Sequence, residues 1–149
     1  MTIGNICNRE VVFTTRDTTV QAASKLMRQH HVGTVVIVDE LGGKRLPVGL
    51  VTDRDIVIEV NAVDLDPKVI TVGDIMTPEL ITAPESQGIL ETMEVMRFKG
   101  VRRLPIVDRE GLLVGIVSID DMLEVLAEEL TDLTRIVSKE QAREVQSRK

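Results

Sequence analysis

Residues 49–55 read GLVTDRD, and residues 115–121 read GIVSIDD. Each stretch opens on glycine (Gly49, Gly115), runs through apolar residues to a hydroxyl (Thr52, Ser118) and closes three residues later on a carboxylate (Asp55, Asp121). A short apolar run bounded by a turn signal predicts a buried strand. A hydroxyl followed three residues on by an acid is the pattern that opens a helix. The same strand-to-helix junction written twice predicts a duplicated unit.

The duplication extends well beyond the two junctions. Sliding the sequence by 69 residues, Thr2 onto Thr71, superposes Gly4, Ile6, Glu10, Met27, Arg28, Val32, Val38 and Asp39 on Gly73, Ile75, Glu79, Met96, Arg97, Val101, Val107 and Asp108. The offset falls to 66 at Gly49 and Gly115, because the loop ELGGKR of the first copy is longer than REG of the second. Each copy reads β-α-β-β-α. A strand (Val11–Thr14; Leu80–Ala83) leads to a turn in which Asp17 or Ser86 is placed to cap the next helix. Val20, Ala23, Met27 and His30, and then Ile89, Met93 and Met96, recur at helical spacing. The runs VVIVD with VGLV, and LPIVD with LVGIV, predict paired strands buried on both faces or packed beneath helices. A second helix starts near Asp53 or Ile119. The expected division is repeat 1 over 1–61, a linker over 62–70, repeat 2 over 71–130 and a helical tail over 131–149.

Composition narrows the function. A 43% hydrophobic and 28% charged chain is that of a globular protein. Its aromatics are Phe13 and Phe98 alone, so the core is aliphatic and methionine-rich. A net charge of −6 with no aromatic platforms argues against nucleic-acid binding. The lone Cys7 excludes an internal disulfide and, with only two histidines, a zinc framework. Adjacent His30 and His31 point in different directions along a helix and read as surface or capping residues. Cys7 falls on Met76 of the other copy and reads, like the methionines, as an apolar packing residue. No apolar run approaches the ~20 residues of a membrane span, and the N-terminus lacks signal-peptide features, so a cytoplasmic protein that binds no membrane is expected. The stretch LGGK at 41–44 lacks the P-loop pattern, and no nucleophile–base pair or metal constellation is visible, so an enzyme is not expected.

The order of elements, the paired G-h-[VI]-[TS]-x-x-D junctions and RRLPIVD at 102–108 resemble the CBS domain, named after cystathionine β-synthase, over about Thr2 to Glu129. The resemblance implies an α/β (α+β) fold of two tandem repeats about a pseudo-twofold axis. It also implies two clefts between repeats that take adenosine compounds: AMP, ADP or ATP, with NAD or S-adenosylmethionine as further family ligands. Independently of the family, a carboxylate can accept from both ribose hydroxyls and a nearby hydroxyl can reach a phosphate. Thr52 and Ser118 can equally be N-caps with the acids completing the cap.

Carried over by the resemblance, one cleft contains Thr52, Arg54 and Asp55 facing Leu80, Ile81, Thr82, Val101, Arg102 and Arg103. The other contains Ile116, Ser118, Asp120 and Asp121 facing Val11, Val12, Phe13, Val32, Gly33 and Thr34. Strand alternation lets only one of Arg102 and Arg103 point inward, and Arg103 is the expected one. Arginines hold phosphate by forked hydrogen bonds and an aspartate repels it, so the first cleft is expected to take the phosphorylated ligand, and the second, to which Gly33 and Thr34 bring no positive charge, to be empty or to take an uncharged or cationic adenosyl group. Leu123, Leu126, Leu130, Leu133 and Val137 recur at three and four along the tail, giving an apolar stripe suited to a dimer contact. Thr131 or Asp132 can cap a fresh helical start there, and fraying is expected past Lys139. The function expected is a regulatory adenosine-nucleotide-binding module, a homodimer acting on a protein target that the sequence does not name. The alternative is a ligand-independent interaction scaffold, or a detached regulatory subunit of an enzyme or transporter.

Overall fold

The computed structural model describes residues 1–148 and holds two sheets, each of three strands. The first half comprises α1 (Ile3–Ile6), β1 (Phe13–Thr14), α2 (Val20–His30), β2 (Thr34–Leu41), β3 (Lys44–Thr52) and α3 (Asp53–Ile56), which runs into a π-helical turn, Val57–Asn61. The second half repeats the order with α4 (Val72–Ile75), β4 (Ala83–Pro84), α5 (Ile89–Lys99), β5 (Arg103–Val107), β6 (Leu113–Ser118) and α6 (Ile119–Ser147). In each sheet a short parallel strand joins a central strand that is antiparallel to the third. Matching bulges fall at Ile37/Val38 and Ile106/Val107. The central strands are buried on both faces, Val35 through Val38 and Leu104 through Val107, as their unbroken apolar runs require.

The two halves exchange their first helices. Ile3 of α1 is fully buried among Ala83, Met96, Leu104, Ile106, Val117 and Met122 of the second half. Val72 of α4 is fully buried among Ala23, Met27, Val35, Ile37 and Val51 of the first. The same backbone bonds seat both: Ile3 and Gly4 donate to Gln87 and Glu85 (2.8 and 3.0 Å), and Val72 and Gly73 donate to Thr18 and Arg16 (2.8 and 2.9 Å). Each sheet is thus covered by its own long helix and by a short helix written in the other copy.

That exchange explains the glycine that opens each junction. A Cβ on Gly49 would lie 2.6 Å from Met76 Sδ, and one on Gly115 would lie 2.5 Å from Cys7 Sγ. Cys7 and Met76, matched by the repeat, are the residues that follow α1 and α4, and each crosses the strand of the other half. Cys7 is half-buried against the second core, and desolvation pushes its thiol above its ordinary range. Because the thiolate is the nucleophile, Cys7 should alkylate far more slowly in the folded protein than in urea. Equal iodoacetamide rates in the two states would contradict this placement.

Several expectations are corrected. Pairing in the first strands covers only Phe13–Thr14 and Ala83–Pro84, not Val11–Thr14 and Leu80–Ala83. Asp17 and Ser86 do not cap: the N-cap of α2 is Thr19, whose Oγ1 accepts from Ala22 N–H at 3.1 Å, and that of α5 is Gly88. The reason lies in the linker, where Ile70 and Pro67 carbonyls accept from the first helical N–H groups, Val20 and Gln21 (2.9 Å each). Asp17 instead accepts from the Thr15 hydroxyl at 2.6 Å, which draws its carboxyl below the usual range. His30 is exposed rather than part of the apolar face. The tail does not restart at Thr131 or fray past Lys139: α6 is one helix of 29 residues, and the Thr131 hydroxyl donates back to the Ala127 carbonyl at 2.8 Å. Nothing between Ile119 and Ser147 is glycine or proline, so no residue forces a stop.

Candidate functional site

At both junctions the strand delivers its terminal hydroxyl residue directly to a helix start. Thr52 N–H donates to Asp55 Oδ2 (2.9 Å), and Asp55 N–H donates back to Thr52 Oγ1 (3.1 Å). Ser118 N–H and Oγ donate to Asp121 Oδ2 (2.7 and 2.8 Å), and Asp121 N–H donates to Ser118 Oγ (3.2 Å). The capping reading is therefore realised in both copies. Both caps engage Oδ2, leaving Oδ1 of each carboxylate outside the cap. Capping fixes the carboxylate and keeps an acceptor in reserve, so it does not compete with ligand binding.

A cavity of about 270 Å³ lies at the second junction. Ser118, Asp121 and Ile116 form one wall, and Val11, Val12, Val32, Gly33 and Thr34 of the first half form the other. Eight of the residues expected in this cleft therefore meet around one space. Two lie outside its lining: Phe13 packs its ring under the Arg45 guanidinium at 4.0 Å, and Asp120 is exposed in the first turn of α6. Asn8, Glu10 and His31 line the cavity and were not expected. Asn8 arrives through the exchanged segment, bonding Ile116 in both directions at 2.9 Å. His31 arrives because it ends α2 in the left-handed conformation (φ 54°). The His-His pair signalled a helix terminus but not its proximity to the cleft.

Arg103, expected in the first cleft, also lines this cavity. It opens β5 directly opposite Ser118 of β6, so its own sheet holds it beside the Ser118–Asp121 pair. Thr34, its counterpart in the first copy, lines the same cavity. These two matched positions thus line one cavity, to which Arg103 adds a cation. Thr34 is 8% exposed, and its Oγ1 is buried without a hydrogen-bond partner.

The cavity at Asp121 does not take in the remaining residues expected in the first cleft, and they differ in burial. Ile81 and Val101 pack against the second core, Leu80 and Thr82 are half-buried, and Arg54 and Arg102 are exposed. Among the described residues no group of three or more His, Cys, Asp or Glu side chains is placed to hold a metal ion. No described helix is long and apolar enough to cross a membrane.

The model of the CBS domain matches residues 3–62 and again residues 72–128. The chain belongs to the CBS domain family. Its two copies form a CBS pair, and its relatives include free-standing CBS-domain proteins. It is 40% identical over 126 residues to an uncharacterised protein of Methanopyrus kandleri, covering 84% of this chain and 62% of the relative, which is thus less than two thirds spanned. It is 35% identical to Hypoxic response protein 1 of Mycobacterium tuberculosis, covering 85% of this chain and 86% of that one. The solved structure of Hypoxic Response Protein I, which holds two coordinated zinc ions, aligns with a TM-score of 0.71 at 31% identity over 83% of this chain and 98% of that chain. The cytosolic domain of the Mg²⁺ channel MgtE, solved in complex with ATP, aligns with a TM-score of 0.70 at 28% identity over 83% of this chain and 48% of that chain. In this CBS pair the cavity at Asp121 is lined by Ser118, Asp121 and Arg103.

Proposed function

We propose that this CBS pair is a regulatory module that binds an adenosine nucleotide (AMP, ADP or ATP) in the cavity at Asp121, acts as a homodimer and passes occupancy to a protein target. The observation that carries the reading is the cavity itself, lined from both halves by Asp121, Ser118, Arg103 and Thr34. Asp121 Oδ1 would accept from the ribose hydroxyls, Arg103 would meet a phosphate, and Val12, Val32 and Ile116 would flank the base. The cavity is close to the lower end of the ~300–1,000 Å³ usual for ligand pockets, which suits an enclosed nucleoside with its phosphates at the mouth. The ATP complex of the MgtE cytosolic domain supports the ligand class. Both halves line the cavity, so a ligand would favour one relative placement of the halves by the difference in its affinity for the two states.

Thermal unfolding tests this. A nucleotide at about 100 times its Kd should stabilise the fold by about 2.7 kcal/mol, roughly 5–10 °C for a chain of this size. Asp121→Ala should abolish that shift, and Asp55→Ala should spare it. Because Asp121→Ala also removes a cap, the readout is the ligand-induced shift of each variant against its own baseline. Arg103→Ala should narrow the difference between AMP and unphosphorylated adenosine. No shift with AMP, ADP or ATP would rule the nucleotide reading out and favour the scaffold.

A further inference from the structure

The second half of α6 is exposed along its length. Every described residue from Ala127 to Arg148 is exposed, and the stripe leaves Leu130, Leu133 and Val137 64%, 58% and 55% exposed, with Ile136 beside it at 63%. Helices in water owe most of their stability to packing of an amphipathic face, so this one lacks its partner. The stripe is continuous with an apolar groove between α5 and α6, lined among others by Leu90, Met93, Ile119, Leu123 and Leu126 with Arg97 on its wall.

We propose that α6 pairs antiparallel with α6 of a second copy. Three features select that occupant and that orientation. The first is spacing: Leu123, Leu126, Leu130, Leu133 and Val137 follow the alternating three-and-four repeat of a two-helix seam. Centred between Leu130 and Leu133, an antiparallel pair sets Leu130 against Leu133 and Leu126 against Val137 of the other copy, closing the stripe on itself. The second is polarity of charge: Glu124, Glu128, Glu129 and Asp132 precede the centre, and Arg135, Lys139, Arg143 and Arg148 follow it. Arg135 is held by Asp132 (3.1 Å) and Arg148 by Glu144 (3.7 Å), while among the described residues Lys139 and Arg143 have no ion-pair partner. Antiparallel pairing lays the acidic part of each helix along the basic part of the other. The third is the end of the stripe, where the seam continues into Glu140 and Glu144. In a parallel pair these would face their own copies and repel. In the antiparallel pair they lie over the partner's groove, beside Arg97.

The inference rests on the self-association proposed above and is independent of nucleotide binding, which the thermal shift reads separately. The test is sedimentation of the full chain and of the Leu130→Glu/Leu133→Glu variant, with spin labels on Gln146→Cys; the half-buried Cys7 labels slowly enough to leave the new thiol as the reporter. A dimer that the double substitution converts to monomer, with an inter-label distance of about 40 Å from the 1.5 Å rise per residue, is expected. A wild-type monomer at 100 µM, a variant that stays dimeric, or a distance below about 20 Å (helices side by side in parallel at 8–10 Å) would each overturn it. A dimer that survives the double substitution would leave self-association standing and displace it to another face.

Discussion

Ile3→Ala is expected to cost about 2–5 kcal/mol, and to weaken the half of the molecule in which residue 3 is not written. The side chain is completely buried, and every neighbour in its cluster belongs to the second half: Ala83, Met96, Leu104, Ile106, Val117 and Met122. Truncation leaves a cavity under the second sheet that the short α1, tied to Gln87 and Glu85 through its backbone, is poorly placed to collapse into. Hydrogen exchange at Leu104–Val107 should therefore accelerate more than at Val35–Val38, alongside a lower urea midpoint. Val72→Ala should produce the mirror result, because Val72 sits among Ala23, Met27, Val35, Ile37 and Val51. If both substitutions loosened the copy in which they are written, the exchange of helices would be refuted.

Gly115→Ala is expected to destabilise by about 1–3 kcal/mol, the range for forcing an extra methyl into packed surroundings, and Gly49→Ala by less. The two glycines occupy equivalent positions but meet different atoms. The added methyl on Gly115 would lie 2.5 Å from Cys7 Sγ and 3.0 Å from the Asn8 carbonyl oxygen, which is held by its bond to Ile116 N–H at 2.9 Å. At Gly49 all three near atoms belong to the Met76 side chain, whose rotatable thioether can swing aside. Consequently Met76→Ala, which removes Sδ and Cγ but keeps Cβ at 3.0 Å, should rescue most of the loss in Gly49→Ala, whereas Cys7→Ala, which leaves the Asn8 oxygen at 3.0 Å, should rescue less of the loss in Gly115→Ala. Equal denaturant midpoints for the two glycine variants, or full rescue at Gly115, would contradict the geometry.

Much of this architecture was legible from residues alone because duplication multiplies each local signal. Thr52 with Asp55 and Ser118 with Asp121 marked both strand-to-helix junctions to the residue, since a reciprocal cap is a local device. The central strands were equally clear, because runs such as VVIV admit no exposed face. What escaped is what depends on distant partners. The exchange of α1 and α4 leaves no trace in periodicity, since Ile3 and Val72 are apolar whichever sheet they cover. Thr19 displaced Asp17 as the cap because Ile70 and Pro67, some fifty residues downstream in the chain, settle where α2 begins. Arg103 is carried to the first cleft only by the family resemblance, and its register with Ser118, which sets it beside the cavity at Asp121, has no signal in the sequence. In the cleft at Asp121 the two-sided lining was readable from the repeat, but Asn8, Glu10 and His31 entered through a crossing segment and a left-handed helix end.

The crossing of α1 and α4 also orders events during synthesis. As the chain leaves the ribosome, the first sheet can be complete in strands by Thr52, yet its core stays open until Val72 has emerged. Ile3 is translated well before its seat, which does not exist until β5 and β6 have been made, so α1 docks only after them. Contacts that span so much sequence are slow to close, and a nascent chain halted in the 62–70 linker would display an unfilled core and an unhoused Ile3 together. Neither copy can finish folding alone, and the two can only be completed as one.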